Sequence, residues 1–439
     1  MHGGAPDGRR GGKPDRLREA HAHIAAHGRS MEMLDLSGCR SLAECLDAIA
    51  RAASDGSRSW VLAHGLRIES WPEARWPSIR ELDGATGAKP CVVMSFDHHS
   101  ACANSAAMRA AKIKAGDCIE PGGVVCVDAA GEATGVLLEG AASRAWNAAP
   151  EPDRAARVRH VASSLRALSA MGYAHVDDML SQSWLGAILN ELEREGSLAC
   201  DVGLYAPVAA LAEVAGTRAG WESSRVRLRG GKIFVDGTLN SRTAAMLTDY
   251  RDAAPGFPRG QALMGVGDVV EAMHAVHGVM GDGGELAAHA IGDAAVRVVL
   301  DGVEAWQREL AGARVRESVK VRIEHAEVVD AADVGRFAAL GVTASLQPCH
   351  LLADVEALAR YLPHRLDRVL PIRDLIASGL VPGRSLVFGS DVPIVRANPE
   401  DSILATTTRK RADMPCSAAI APEQAIDERT AWACFGRGH

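Results

Sequence analysis

The chain has 439 residues, 47% of them hydrophobic, enough to bury a large core, and its length suits one elaborated barrel or two to three smaller domains. Its net charge of -7 argues against a general binder of nucleic acid or anionic membrane, since those surfaces recruit clustered Lys and Arg, and favours a small-molecule ligand. Ten cysteines, from Cys39 to Cys434, form no C-x-x-C pair, which removes zinc-ribbon and thioredoxin readings. Without an apolar leader or a membrane-length apolar run, the expected location is the cytoplasm, with thiols reduced.

Residues 1–15, rich in Gly, Pro and Arg, read as a flexible leader, and residues 16–439 as one body whose order begins near Leu17. The first chemical signal is AHAHI, where His21 and His23 stand two apart; on a strand, that period sets both imidazoles on one face, a geometry for two ligands of one metal. A lone H-x-H is weak, because close histidine pairs arise often by chance. SLAECLDAIARAA from Ser41 reads as an amphipathic helix. The stretch 59–146, richer in Pro, Gly and Trp, holds strands WVLAHGL from Trp60 and CVVMSF from Cys91 and reads as an insertion that walls the active site. Trp71 is expected to pack inside it.

From Asp153 to Met171 a helix is expected, followed by the strand CDVGLY from Cys200 and then GKIFVDG from Gly231. Lys232 lies inside that apolar strand, where an unpaired ammonium is costly. Two readings stand: a salt bridge to Asp236 or another carboxylate, or a carbamate whose oxygens bridge two metal ions. Helices from Val266, Asp293 and Asp330 then alternate with the strands GELAAHAIG, VKVRIEH, GVTASLQP and SLVFGSD. His289, His325 and Asp391 close three of these strands. Singly, each suits a structural role equally well. Jointly, four histidines, one lysine and one aspartate fall at the C-terminal ends of successive strands, where a barrel collects function. Imidazole and carboxylate ligands without thiolate suit zinc, manganese, iron or nickel.

The motifs AHAHI, KIFVDGTLNSRTA, HAIGDAAV, RIEHAE, SLQPCHL and LVFGSDVP, with outlying DHHSACANSAAM and TGVLLEGA, run in one order from His21 to Pro393. In them the sequence resembles the amidohydrolase superfamily, specifically the YtcJ-like branch related to N-substituted formamide deformylases. The resemblance implies a (β/α)8 TIM barrel of the metal-dependent hydrolase type. It implies His21 and His23 on the more buried divalent metal, His289 and His325 on a second, a carboxylated Lys232 bridging them, and Asp391 contacting metal and shuttling protons. Catalytic roles fall to Lys232, His325 and Asp391, and zinc is the expected ion, one or two per chain. The implied reaction is hydrolysis of an amide, N-acyl or N-formyl C–N bond of a small molecule by a metal-activated hydroxide. His99, Asn104, Glu139, Arg242, Gln347 and His350 match family positions that line or brace the site. Loop hydrogen bonding for Asn104 and an ion pair for Arg242 are the bland alternatives.

The resemblance has a gap. Relatives carry a β-sandwich on both sides of the barrel, yet 20 residues precede His21. The expectation is therefore a barrel lacking most or all of the sandwich, its bare surface covered in a homo-oligomer, a dimer. Two other functions remain open: a mononuclear hydrolase or deaminase acting on a ring C=N, with Lys232 paired to a carboxylate, and a non-catalytic metal-binding barrel. The complete set of six ligands argues against the latter.

Overall fold

Alternating apolar runs and amphipathic stretches become strand–helix units in the computed structural model. It describes residues 13–436 apart from 57, 69–70, 96–98, 120–121, 254–255 and 314–318. Most of the expected leader, and two residues of the DHHSACANSAAM motif, lie outside the described residues. Strand β1 (Leu17–Ala22) is followed by β2 (Leu34–Asp35), β3 (Val61–Leu66), β4 (Cys91–Ser95), β5 (Ser100–Ala103), β6 (Cys118–Ile119), β7 (Gly123–Val127) and β8 (Ala133–Leu138). Then come β9 (Tyr173–Asp178), β10 (Asp201–Pro207), β11 (Val226–Phe234), β12 (Glu285–Ala290), β13 (Lys320–His325), β14 (Thr343–Leu346) and β15 (Leu386–Phe388).

Eight of these form one parallel sheet in the order β1-β9-β10-β11-β12-β13-β14-β15. It curls into a nearly closed barrel. The seam is sealed by a parallel bridge between Ala22 and Val392, by His23 N–H donating to the Val392 carbonyl at 2.9 Å, and by Asp391 N–H donating to the His21 carbonyl at 2.7 Å. Gly389 permits this closure, because a Cβ there would sit 2.5 Å from the His21 nitrogen. The ends of the barrel sheet thus meet at three of the candidate ligands, His21, His23 and Asp391.

The strands from Trp60 and Cys91 join a second, seven-stranded sheet in the order β2-β3-β4-β5-β8-β7-β6. The barrel strand beside β1 is instead β9, which the sequence reading leaves unassigned. YAHVDD lacks an apolar run because His175 and Asp177 face an ionic layer, where Asp177 accepts from His175 at 2.8 Å and from Arg18. The expected helices form as Leu42–Ser54, Arg154–Ala170, Val266–Met280, Asp293–Ala313 and Ala331–Leu340. Asp153 and Asp330 cap two of them, accepting from the Ala156 and Ala332 amides.

The main hydrophobic core includes Leu165, Val269, Val296, Val299 and Phe337 from these outer helices and packs them on the barrel. Met179, Tyr205 and Ala287 form a separate small apolar cluster, and Asp177, Arg322 and Glu324 are buried polar groups beside it. Trp71 is buried in the second sheet's own core and donates to the Cys39 carbonyl at 2.9 Å. Among the described residues, no helix is long and apolar enough to cross a membrane.

Candidate metal centre

A cavity of about 1050 Å³ opens at the C-terminal ends of the barrel strands. His21, His23, Lys232, His289, His325 and Asp391 all line it. The structure therefore brings all six together. Asp391 is the hub: its Oδ1 lies 3.0 Å from His23 Nε2 and 3.3 Å from His21 Nε2. The His325 ring centroid lies 4.9 Å from that of His21 and 4.5 Å from that of His289. His325 and Asp391 reach these positions with φ of 73° and 65°, left-handed conformations unusual for residues other than glycine. Strict alternation along β13 would put His325 on the face opposite Glu324, and the positive φ swings it into the mouth.

Supporting partners fix which nitrogens carry hydrogen. His21 Nδ1 lies 2.6 Å from Glu324 Oε2, and a carboxylate can only accept, so Nδ1 holds a proton and Nε2 is the nitrogen turned towards Asp391. His289 Nε2 donates to the Gly237 carbonyl at 3.1 Å, which leaves Nδ1 as its lone pair. Gly237 also leaves room for Thr243 and Glu139, since a Cβ there would fall 2.1 Å from Thr243 Oγ1. Burial and the cations of Lys232 hold His289 well below the usual histidine range, and burial with the neighbouring His289 and His21 does the same for His325. Burial pushes the Asp391 carboxyl up, but His21 and His23 outweigh it and hold the group well below its ordinary range.

Lys232 Nζ and His325 Nδ1 are fully buried and make no hydrogen bond among the described residues; Asp391 Oδ1 also has none of good geometry despite its two close histidine contacts. A buried polar group without a partner is costly. Here several such groups converge on one region, among the imidazoles of His21, His23, His289 and His325 and the Asp391 carboxylate, and this donor set fits divalent cations. Burial brings Lys232 down to about 8. The expected salt bridge to Asp236 is not formed, because Asp236 is occupied by the Ala245, Ile291 and Gly292 amides.

The secondary candidates divide. His99 and Glu139 line the cavity from the second sheet, with His99 Nδ1 2.8 Å from Glu139 Oε2 and the His99 ring stacked 5.7 Å from His289. Thr243 holds the other Glu139 oxygen at 2.5 Å. His350 also lines the cavity, donating through Nε2 to the Ser390 carbonyl at 3.3 Å. The other three stand back. Asn104 is wholly buried, capping the helix Ser105–Ala111 and bonding to Cys91, Thr86 and Lys89. Arg242 lies over the Tyr361 ring at 5.1 Å, and Gln347 donates to the Ser345 carbonyl.

Sequence reasoning passed over Glu324, the brace of His21, and Asp178, which fixes the turn after His23 by accepting from the Ile24 amide at 2.7 Å. Glu324 gave no comparable signal, because β13 alternates charged and apolar residues and a carboxylate there does not stand out as Lys232 does in its strand. Sequence reasoning also missed the buried pair Glu327 and Asp354 on the cavity wall near His350.

The model of the amidohydrolase family matches residues 17–437. YtcJ of Bacillus subtilis is 26% identical over 415 residues, covering 89% of this chain and 72% of its own length. The N-substituted formamide deformylase of Arthrobacter pascens is 24% identical over 434 residues, covering 93% of this chain and 75% of its own. A crystal structure of an uncharacterised metal-dependent hydrolase from Pyrococcus horikoshii superposes with a TM-score of 0.72 at 26% identity, over 95% of this chain and 78% of that one.

Proposed function

Since the chain belongs to the amidohydrolase family and is by that membership a metal-dependent hydrolase, we propose that it cleaves a C–N bond of an amide, N-acyl or N-formyl compound at two zinc ions. The observation that carries this reading is the convergence of buried, unpartnered donors on Asp391. His21 and His23 would hold one ion, His289 and His325 the other, and Lys232 would bridge as a carbamate. Lys232 near 8 is about one-tenth neutral amine at pH 7, the form that adds to carbon dioxide and releases one proton. Ions bound there supply Lewis acidity, easing ionisation of water and polarising the scissile carbonyl.

The chain's own residues do the rest. Asp391, ionised, takes the proton from the attacking water at its carboxylate and returns it to the departing amine. Glu324 keeps the His21 ring in one tautomer. Ala110, Ala111, Ile119, Ala148 and Leu263 give the cavity an apolar side, which suits an amine with an apolar N-substituent. The relative from Arthrobacter pascens, named for N-substituted formamides, supports that class.

The test is a panel of N-formyl and N-acyl amines of increasing N-substituent size, assayed for amine release before and after chelation. Turnover that rises with apolar substituent size and disappears on chelation is expected. Turnover confined to ring amidines, with ammonia released, would replace this reading with the deaminase one.

A further inference from the structure

The other end of the barrel holds a second cavity, of about 440 Å³, at the N-terminal ends of the strands. Five basic side chains line it, Arg18, Arg229, Lys320, Arg322 and Arg384, against one carboxylate, Glu285. Three of the five are engaged. Arg18 donates to Asp177, Arg229 to Glu285 at 2.5 Å, and Arg322 to Glu324, Asp177 and Ser345. Even with Asp177 and Glu324 counted, cations outnumber carboxylates by two, in a chain whose net charge is -7. Lys320 and Arg384 account for that excess. Both are exposed on the rim, and neither side chain has a hydrogen-bond or ion-pair partner among the described residues.

Like charges held around a concave, low-dielectric wall repel one another, and a counter-charge seated among them relieves that repulsion. The fixed Arg18, Arg229 and Arg322 supply a background field, while Lys320 and Arg384 have their donors available. Thr343, half-buried in the same wall, adds a hydroxyl. We propose that this cavity binds a small doubly charged oxyanion of the phosphate type, held chiefly by Lys320 and Arg384. The site is separate from the catalytic cavity and does not depend on the reaction proposed above.

The test is calorimetric titration of the full chain with inorganic phosphate at constant ionic strength set by sodium chloride, alongside the variant Lys320→Glu/Arg384→Glu. Each charge-assisted contact contributes about tenfold or more in affinity, so the double variant should bind about a hundredfold more weakly. Both side chains are exposed, so the variant should unfold at nearly the wild-type temperature in chloride, and Lys320→Gln/Arg384→Gln serves if it does not. Phosphate held at the catalytic cavity would bind both proteins alike. That result, or no uptake by the wild type at millimolar phosphate, overturns the proposal. Phosphomonoesters titrated in parallel separate free phosphate from a phosphorylated metabolite as the preferred source.

Discussion

The two ends of the barrel treat buried charge in opposite ways. Towards the N-terminal end, Arg322 is fully buried and every donor nitrogen is used, reaching Glu324, Asp177, Tyr205, Ser345 and the Ala20 carbonyl. At the C-terminal end, Lys232 Nζ and His325 Nδ1 are equally buried and have no hydrogen bond among the described residues. One stretch of β13 contains both behaviours, since Arg322 and His325 lie three residues apart. Burial alone therefore does not identify a functional site. The difference lies in whether the desolvation cost is met within the chain or left for a ligand to meet.

Lys232→Ala should break the upper end most severely. Ligands that act as a unit are lost as a unit, so activity should fall at least about a thousandfold, measured as kcat/KM for amine release. Arg322→Met should break the lower end instead. It removes the guanidinium that Asp177 and Glu324 share, leaving Asp177 to Arg18 and His175 and Glu324 to His21, and urea unfolding should show a loss of about 3 kcal/mol. A cost near zero there would mean that the lower ion network is dispensable packing.

His27, in the helix Ile24–Ser30, offers a buried titratable group removed from both ends. It is bonded to Ser164 at 2.9 Å, and burial lowers it to about 4. Above the unfolded value of 6.5 both states are neutral and His27 contributes no pH dependence. Between 6.5 and about 4 only the unfolded chain takes up the proton, so stability falls as pH drops, by about 3 kcal/mol in all. His27→Gln should flatten the pH dependence of thermal unfolding across that window. Smallest, Glu324→Gln removes the ionised brace of His21 and should weaken metal binding by about 10–100-fold, with activity recovered at raised zinc concentration.

Much of this was legible in the sequence, and what was not has physical causes. The six candidate ligands were readable because His289, His325 and Asp391 close strands, His21 and His23 keep a strand's period of two, and Lys232 is a charge inside an apolar stretch. Helices such as Arg154–Ala170 and Ala331–Leu340 were readable because their caps Asp153 and Asp330 are local signals. β9 was hidden because its inward side chains, His175 and Asp177, satisfy an ionic layer assembled from Arg18 and Arg322, which are remote in sequence. The placement of Arg242 over Tyr361 likewise depends on a contact that no local pattern encodes, whereas the N-cap role of Asn104, accepting from the Ala107 amide, is a local signal. The positive φ at His325 and Asp391 is invisible to periodicity.

The central claim is that the unpartnered groups around Asp391 are metal donors. It is tested most directly by elemental analysis of the purified chain by inductively coupled plasma mass spectrometry, with Lys232→Ala and His21→Ala/His23→Ala measured beside it. The account predicts about two divalent ions per chain, mostly zinc, and a clear drop in both variants. A chain that stays active without bound metal, or whose metal content is unchanged by these substitutions, would contradict it.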